Sequence, residues 1–180
     1  MKTLFPNFHA DLQRNLADYA PAGILRRLAL MLTLNSIHAL ALIRTQQWLA
    51  ARRLPTFVVS KILFWFFKIE IAKTARIGAG LRLPHPMGII IAPNTTIGAD
   101  CDLYADVRLV LGHGCKQGPT IGDGVLLGDG AKVVGNIHVG TGSVIGVSSV
   151  VTRNIPDHVT AVGIPARVLH IGQPELRVAA

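Results

Sequence analysis

The chain has 180 residues, half of them apolar, 16% charged and with a formal net charge of +8. That length holds one domain, or a small one attached to a larger one. The cations are scattered (Arg14, Arg26, Arg27, Arg44, Arg52, Arg53, Lys61, Lys68, Lys73). A nucleic-acid binder needs a basic run interleaved with exposed aromatics, so that class is disfavoured. The cations do sit beside amphipathic segments, which suits peripheral contact with a membrane surface or a polyanionic substrate. Two cysteines, Cys101 and Cys115, are too few for a disulfide framework and lack metal-ligand spacing. MKTLFPNFHADLQ has no apolar core of signal-peptide length. A cytoplasmic location, with room for membrane association, is expected.

Residues 1–68 read as helical. Asp11 can cap a first helix reaching Tyr19, because its carboxylate can accept first-turn amide hydrogens; Pro21 and Gly23 then break it. A second helix runs from about Ile24 toward Arg53, with an interruption near Asn35. After Pro55 a third, 56–68, is almost wholly apolar through FWFF and needs cover from another element or another subunit. The apolar stretches 28–43 and 57–67 are shorter than the roughly 20 residues that span a bilayer. They read as buried or interface helices.

From Glu70 a six-residue rhythm begins. Ile71, Ile77, Leu83 and Ile89 are six apart, and so are Ile97, Leu103 and Leu109, in a register shifted by two. The shift is expected to fall at an irregular corner over 92–95. Two hexads of chain between Leu109 and Ile121 lack aliphatic openers, and GHGCKQGPT at their centre reads as a loop leaving the scaffold, a favoured place for function. The rhythm is then clearest: Ile121, Leu127, Val133, Val139, Ile145 and Val151 each open a hexad. Gly122, Gly128, Gly140 and Gly146 follow four of the openers, and Val125, Ala131, Ser143 and Ser149 hold fifth places. Neither a 3.6-residue nor a two-residue period fits this spacing. A fixed short repeat means a stacked array. Three strand-and-turn hexads make one triangular coil, aliphatics stack inside, and glycines permit turns that a Cβ would obstruct. Pro156 and Pro165 end the array. The expected division is a helical region over 1–68, a left-handed parallel β-helix over 69–170 and a tail over 171–180.

These residues resemble the bacterial serine acetyltransferases, among the hexapeptide-repeat acyltransferases that fold as left-handed parallel β-helices. SIHALALIRTQQWLAARR is similar to the family's helical segment with Phe-His-Ala and Arg-x-x-x-Trp-Leu. IEIAKTARIGAGLRLPHPMGIII is similar to its entry into the β-helix, and GIPARV to its closing Gly-x-Pro-Ala. The resemblance implies a catalytic pair, a carboxylate and a His fifteen residues later, at Glu70 and His85. The family usually has Asp at the first place. The chemistry suits the pair: an imidazole titrating near neutrality can take the proton of an attacking hydroxyl, and a carboxylate on its far nitrogen fixes the tautomer.

Departures bear on the acceptor. Where serine acetyltransferases have an Asp before the catalytic His, this chain has Pro84; for Arg-His-Pro it has Gln117, Gly118 and Pro119. At the place of an acidic residue from the helices stands Tyr19, with Asp18 one residue early. A zwitterion needs a carboxylate for its ammonium and a donor such as Arg for its own carboxylate. The chain looks closer to short relatives from capsule and exopolysaccharide clusters, resembling the colanic-acid acetyltransferases. His113, in the shortened loop, is a candidate replacement donor. Acetyl-CoA is implied by the resemblance, in a groove between two β-helices at Gly128, Asp129, Gly146 and Val147, with Arg167 toward the phosphates. GDGVLLGDG reads as repeat turns, not a phosphate cradle, and His85, His113 and His138 lack the spacing of a metal site. The expectation is an acetyl-CoA-dependent O-acetyltransferase acting on a saccharide hydroxyl, as a homotrimer or a dimer of trimers. L-Serine is the alternative acceptor, and an inactive scaffold a lesser alternative. The end RVAA, lacking a final Ile, disfavours docking into the next enzyme of cysteine synthesis.

Overall fold

The structure, a computed structural model, describes residues 7–17, 19 and 23–169. Its body is a triangular solenoid whose faces are sheets of five, four and five short strands. Pairing is parallel, apart from the closing strands Thr160–Gly163 and Ala166–Leu169, which are antiparallel. Each hexad opener points inward and stacks on its counterpart one coil away, so three columns fill the prism. Ile71, Ile91, Leu109, Val133 and Val151 make the first. Ile77, Ile97, Ile121 and Val139 make the second. Leu103, Leu127, Ile145 and Ala161 make the third, which a bridge between Arg82 and Asp102 extends to Leu83. All are buried. Full burial of such a side chain contributes about 1.5–3 kcal/mol, and each coil repeats it.

The register shift falls elsewhere than expected. Residues 92–95 form a regular corner, since Ile91 and Ile97 occupy successive columns six residues apart. Eight residues separate Leu83 from Ile91, where the same corner in other coils takes six (Leu127 to Val133, Ile145 to Val151). The two extra residues therefore belong to LPHPMG. The excursion between Leu109 and Ile121 is where the sequence places it, six residues longer than its equivalents.

The turns use glycine for two separate reasons. The fourth place of a hexad takes a left-handed conformation, as at Gly124 (φ 63°), and Asn94, Asp100 and Asp106 also adopt it. The second place has ordinary dihedrals but no room: a Cβ on Gly122 would lie 2.7 Å from the Thr141 amide nitrogen in the next coil. Third-place aspartates tie coils together, Asp123 and Asp157 accepting the amide hydrogens of Ala99 and Thr141 at 2.7 and 2.8 Å. Cys101 is buried inside the prism, and that burial raises its thiol pKa.

Four helices precede the solenoid: α1 (Phe8–Ala17), α2 (Ile24–Thr33), α3 (Asn35–Ala51) and α4 (Phe57–Phe67). The expected interruption is real, at Leu34, whose extended backbone separates α2 from α3. Asp11 does not cap a helix. It lies inside the first turn of α1, wholly buried, and forms a two-pronged ion pair with Arg44 of α3 (2.6 and 2.9 Å). Arg44 also donates to Gln47 and to the carbonyls of Ile77 and Gly78, while Asp11 accepts the Leu81 amide. Two buried charges are tolerable because these bonds replace their lost hydration. Asn15 adds to the clamp, donating to the Leu81 carbonyl and accepting the Leu83 amide. The helices are thus fastened to the first coil, just before His85.

Candidate active site

The extended corner places His85. Proline on each side restricts the backbone of 84–86; Pro86 is buried while His85 and Met87 project outward. The corner is tied from three directions. The Met87 amide donates to the His85 carbonyl (2.8 Å), the Met87 carbonyl accepts the Asp106 amide (2.9 Å), and the Gly88 amide donates to Phe67 at the end of α4 (3.1 Å). The imidazole centroid stands 6.5 Å from the Tyr104 ring.

His85 opens onto a cleft of about 700 Å³ between this corner and the helices. Pro84 and Met87 line one wall; Tyr19 and the start of α3, with Asn35, Ser36 and His38, line the other; Phe66 and Phe67 lie between them. Among the described residues the lining contains no carboxylate, lysine or arginine. Asp18 lies outside the described residues.

Glu70 opens the first strand, exposed, at the foot of the same edge, paired in register with Ile90 five residues beyond His85. Among the described residues no hydrogen bond or ion pair joins Glu70 to His85. The two stand at one corner without touching.

The expected cofactor residues share the His85 edge. Ala105 stands one coil beyond His85, Gly128 and Asp129 the next, then Gly146 and Val147, joined by Ser148 donating to the Asp129 carbonyl (2.7 Å) and Gly130 to that of Ala105 (2.8 Å). Arg167 pairs with Val162 in the closing strands at the far end. Three coils from His85 to Val147 make about 14 Å, at about 4.8 Å per coil. Val147 and Asp129 are exposed, but Asp129 spends one carboxylate oxygen on the Ala105 amide (2.9 Å). Gly128 packs so close to the next coil that a Cβ would lie 2.9 Å from the Val147 nitrogen.

His113, Gln117 and Gly118 are not brought to His85 within one protomer. They belong to the long excursion at a different corner of the prism. Gln117 donates to the Asn94 carbonyl (2.8 Å), with Thr74 and Arg76 nearby. Gly118 is pressed on Pro93 and Thr95 beneath it. His138 is exposed on another face. Among the described residues no group of three or more His, Cys, Asp or Glu comes together as a metal site.

No protein-family model matches the chain. It is similar to the serine acetyltransferase of Escherichia coli K12, 38% identical over 151 residues, covering 81% of this chain and 54% of the relative. The similarity to the serine acetyltransferase of Synechococcus elongatus runs over 174 residues at 36% identity, 94% of this chain and 68% of that one. A solved serine acetyltransferase in complex with CoA superposes with a TM-score of 0.80 at 28% identity, over 92% of this chain and 69% of the other. The chain belongs to the serine acetyltransferase family. It spans about half the length of the Escherichia coli relative, 54%.

As a serine acetyltransferase family member, the chain shows one group of cleft residues that its sequence motifs did not single out. Ser36 and His38 sit in SIHALALIR, quoted above only as a helical segment, and Asn35 directly precedes it. A break at Leu34 turns that segment so that its first turn faces His85. The polar residues directly after the interruption were the available signal.

Proposed function

We propose that this chain is an acetyl-CoA-dependent O-acetyltransferase with His85 as general base. The observation that carries the reading is the placement of His85: raised into a cleft by two extra residues, at the head of the edge where Gly128, Gly146 and Val147 stack. The acceptor hydroxyl gives its proton to the imidazole as its oxygen attacks the thioester carbonyl. Collapse of the tetrahedral adduct expels the CoA thiolate, which takes that proton back from the imidazolium. Glu70 is the orienting partner; catalytic hydrogen bonds often tighten only once substrate is bound. A solved relative holds CoA, and here the exposed edge offers backbone groups to a pantetheine arm, with Arg167 toward the phosphates.

L-Serine is the acceptor that the family supports best, since the relatives named above are serine acetyltransferases. A saccharide hydroxyl is the second reading, and one observation favours it: among the described residues the lining holds no carboxylate, lysine or arginine for either end of a zwitterion. A homotrimer about the prism axis belongs to the proposal, because it sets the 111–119 loop of one subunit beside the His85 edge of the next, where Gln117 and His113 can reach the cleft.

The test is CoA thiol release by the purified chain offered L-serine, homoserine and a panel of sugars and nucleotide sugars, with His85→Ala alongside. Serine-dependent release lost in the variant supports the serine reading. Release with sugars alone selects the saccharide reading, and silence with every acceptor overturns both.

A further inference from the structure

We propose that α4 docks the protein onto an anionic lipid surface. Leu63 points into the protein from one side of this helix. On the other, Phe57, Val58 and Trp65 are each 67% exposed and Phe64 is 43% exposed. With Lys61 and Lys68 these six residues fall in an arc of about 120° at 3.6 residues per turn. Three aromatics and a valine in one exposed stripe call for a covering surface.

Charge says what covers it. Between Tyr19 and Ile69 the sequence contains Arg26, Arg27, Arg44, Arg52, Arg53, Lys61 and Lys68 and not one Asp or Glu. Among the described side chains of this stretch, only Arg44 is paired with a carboxylate, that of Asp11. Lys61 and Lys68 lie along the stripe, their ammonium groups 5.7 and 5.3 Å from the Phe57 and Phe64 ring centroids. Beside the helix, Arg52 covers Trp48 at 4.1 Å. Apolar stems along aromatic rings with cationic heads at the rim is the arrangement that suits the boundary between acyl chains and headgroups. A two-fold contact between copies of α4 would instead set lysines against lysines with no carboxylate to separate them. Anionic headgroups supply the missing charge. The helix has 11 residues, about 16 Å, and no helix among the described residues is long and apolar enough to cross a membrane; α4 lies in the surface plane. Phe66, outside this stripe on the helix, enters the lining of the His85 cleft instead. The inference stands whichever acceptor the cleft takes.

The experiment is co-sedimentation of the full chain with phosphatidylcholine vesicles, with and without phosphatidylglycerol, across a salt series. Binding to the anionic vesicles should exceed binding to the neutral ones about ten-fold, weaken with salt, and fall about five-fold for each cation neutralised in Lys61→Gln and Lys68→Gln. Phe57→Asp with Trp65→Asp should abolish it while leaving the CD spectrum and CoA binding unchanged. Trp65 emission should shift to the blue on anionic vesicles, and Trp65→Phe should remove the shift. Equal sedimentation with and without anionic vesicles overturns the proposal, as does binding that survives the double aspartate variant. Self-association lost in that variant, without vesicle binding, would assign the face to a second copy instead.

Discussion

The solenoid and the helices in front of it are held by opposite means. In the solenoid, one apolar contact recurs coil after coil, from Ile71 to Val151 and along two more columns; no single residue is unique, and loss of one leaves its neighbours stacked. The helical cap is fastened by contacts that occur once, chiefly Asp11 with Arg44 and the bonds Arg44 makes to Ile77 and Gly78. Repetition suits a rigid scaffold. Singular polar contacts fix one orientation, and here they hold the start of α3 over the corner that carries His85.

The sharpest separation of chemistry from scaffold is His85→Ala. Thiol release should drop by about 10²–10⁴ with the CD spectrum unchanged, since the side chain is exposed and packs on no core column; a fall in helix or strand signal would make the residue structural. Next, Arg44→Ala strands the buried Asp11 carboxylate and should cost about 3–5 kcal/mol in urea unfolding. Because the damage is local to the cap, proteolysis should cut the helices while the solenoid persists. Asp11→Leu with Arg44→Met should restore most of that loss, as an apolar pair of similar volume avoids the unpaired charge.

Inside the solenoid the comparison turns on two glycines of a single hexad. Gly122→Ala drives a Cβ against backbone 2.7 Å away and should cost about 3 kcal/mol, the upper end of overpacking. Gly124→Ala meets only the Gly142 Cα, at 4.0 Å, and pays for its left-handed φ alone, about 1–2 kcal/mol. Equal thermal shifts in the two variants would remove the distinction between crowding and dihedral strain.

Much of this was legible in the chain. The period of six specified the prism, because an inward side chain every sixth residue satisfies a triangular coil and neither helix nor hairpin. The excursion before Ile121 and the break near Asn35 were legible for the same reason, as interruptions of a pattern. The register shift was visible too, but its position was not. Ile89 and Ile91 are both buried, and only pairing in space shows that Ile91 occupies the column, which moves the extra residues from 92–95 to the His85 corner. Asp11 likewise read as a cap from its neighbours, whereas its partner is 33 residues away. Composition, repeat and turn chemistry are local, so the sequence by itself determined the solenoid and its helical approach. Which corner bulges, which carboxylate meets Arg44, and that Asn35, Ser36 and His38 face His85 while Gln117 does not were decided by tertiary structure, because each depends on segments that meet only after the coils have stacked.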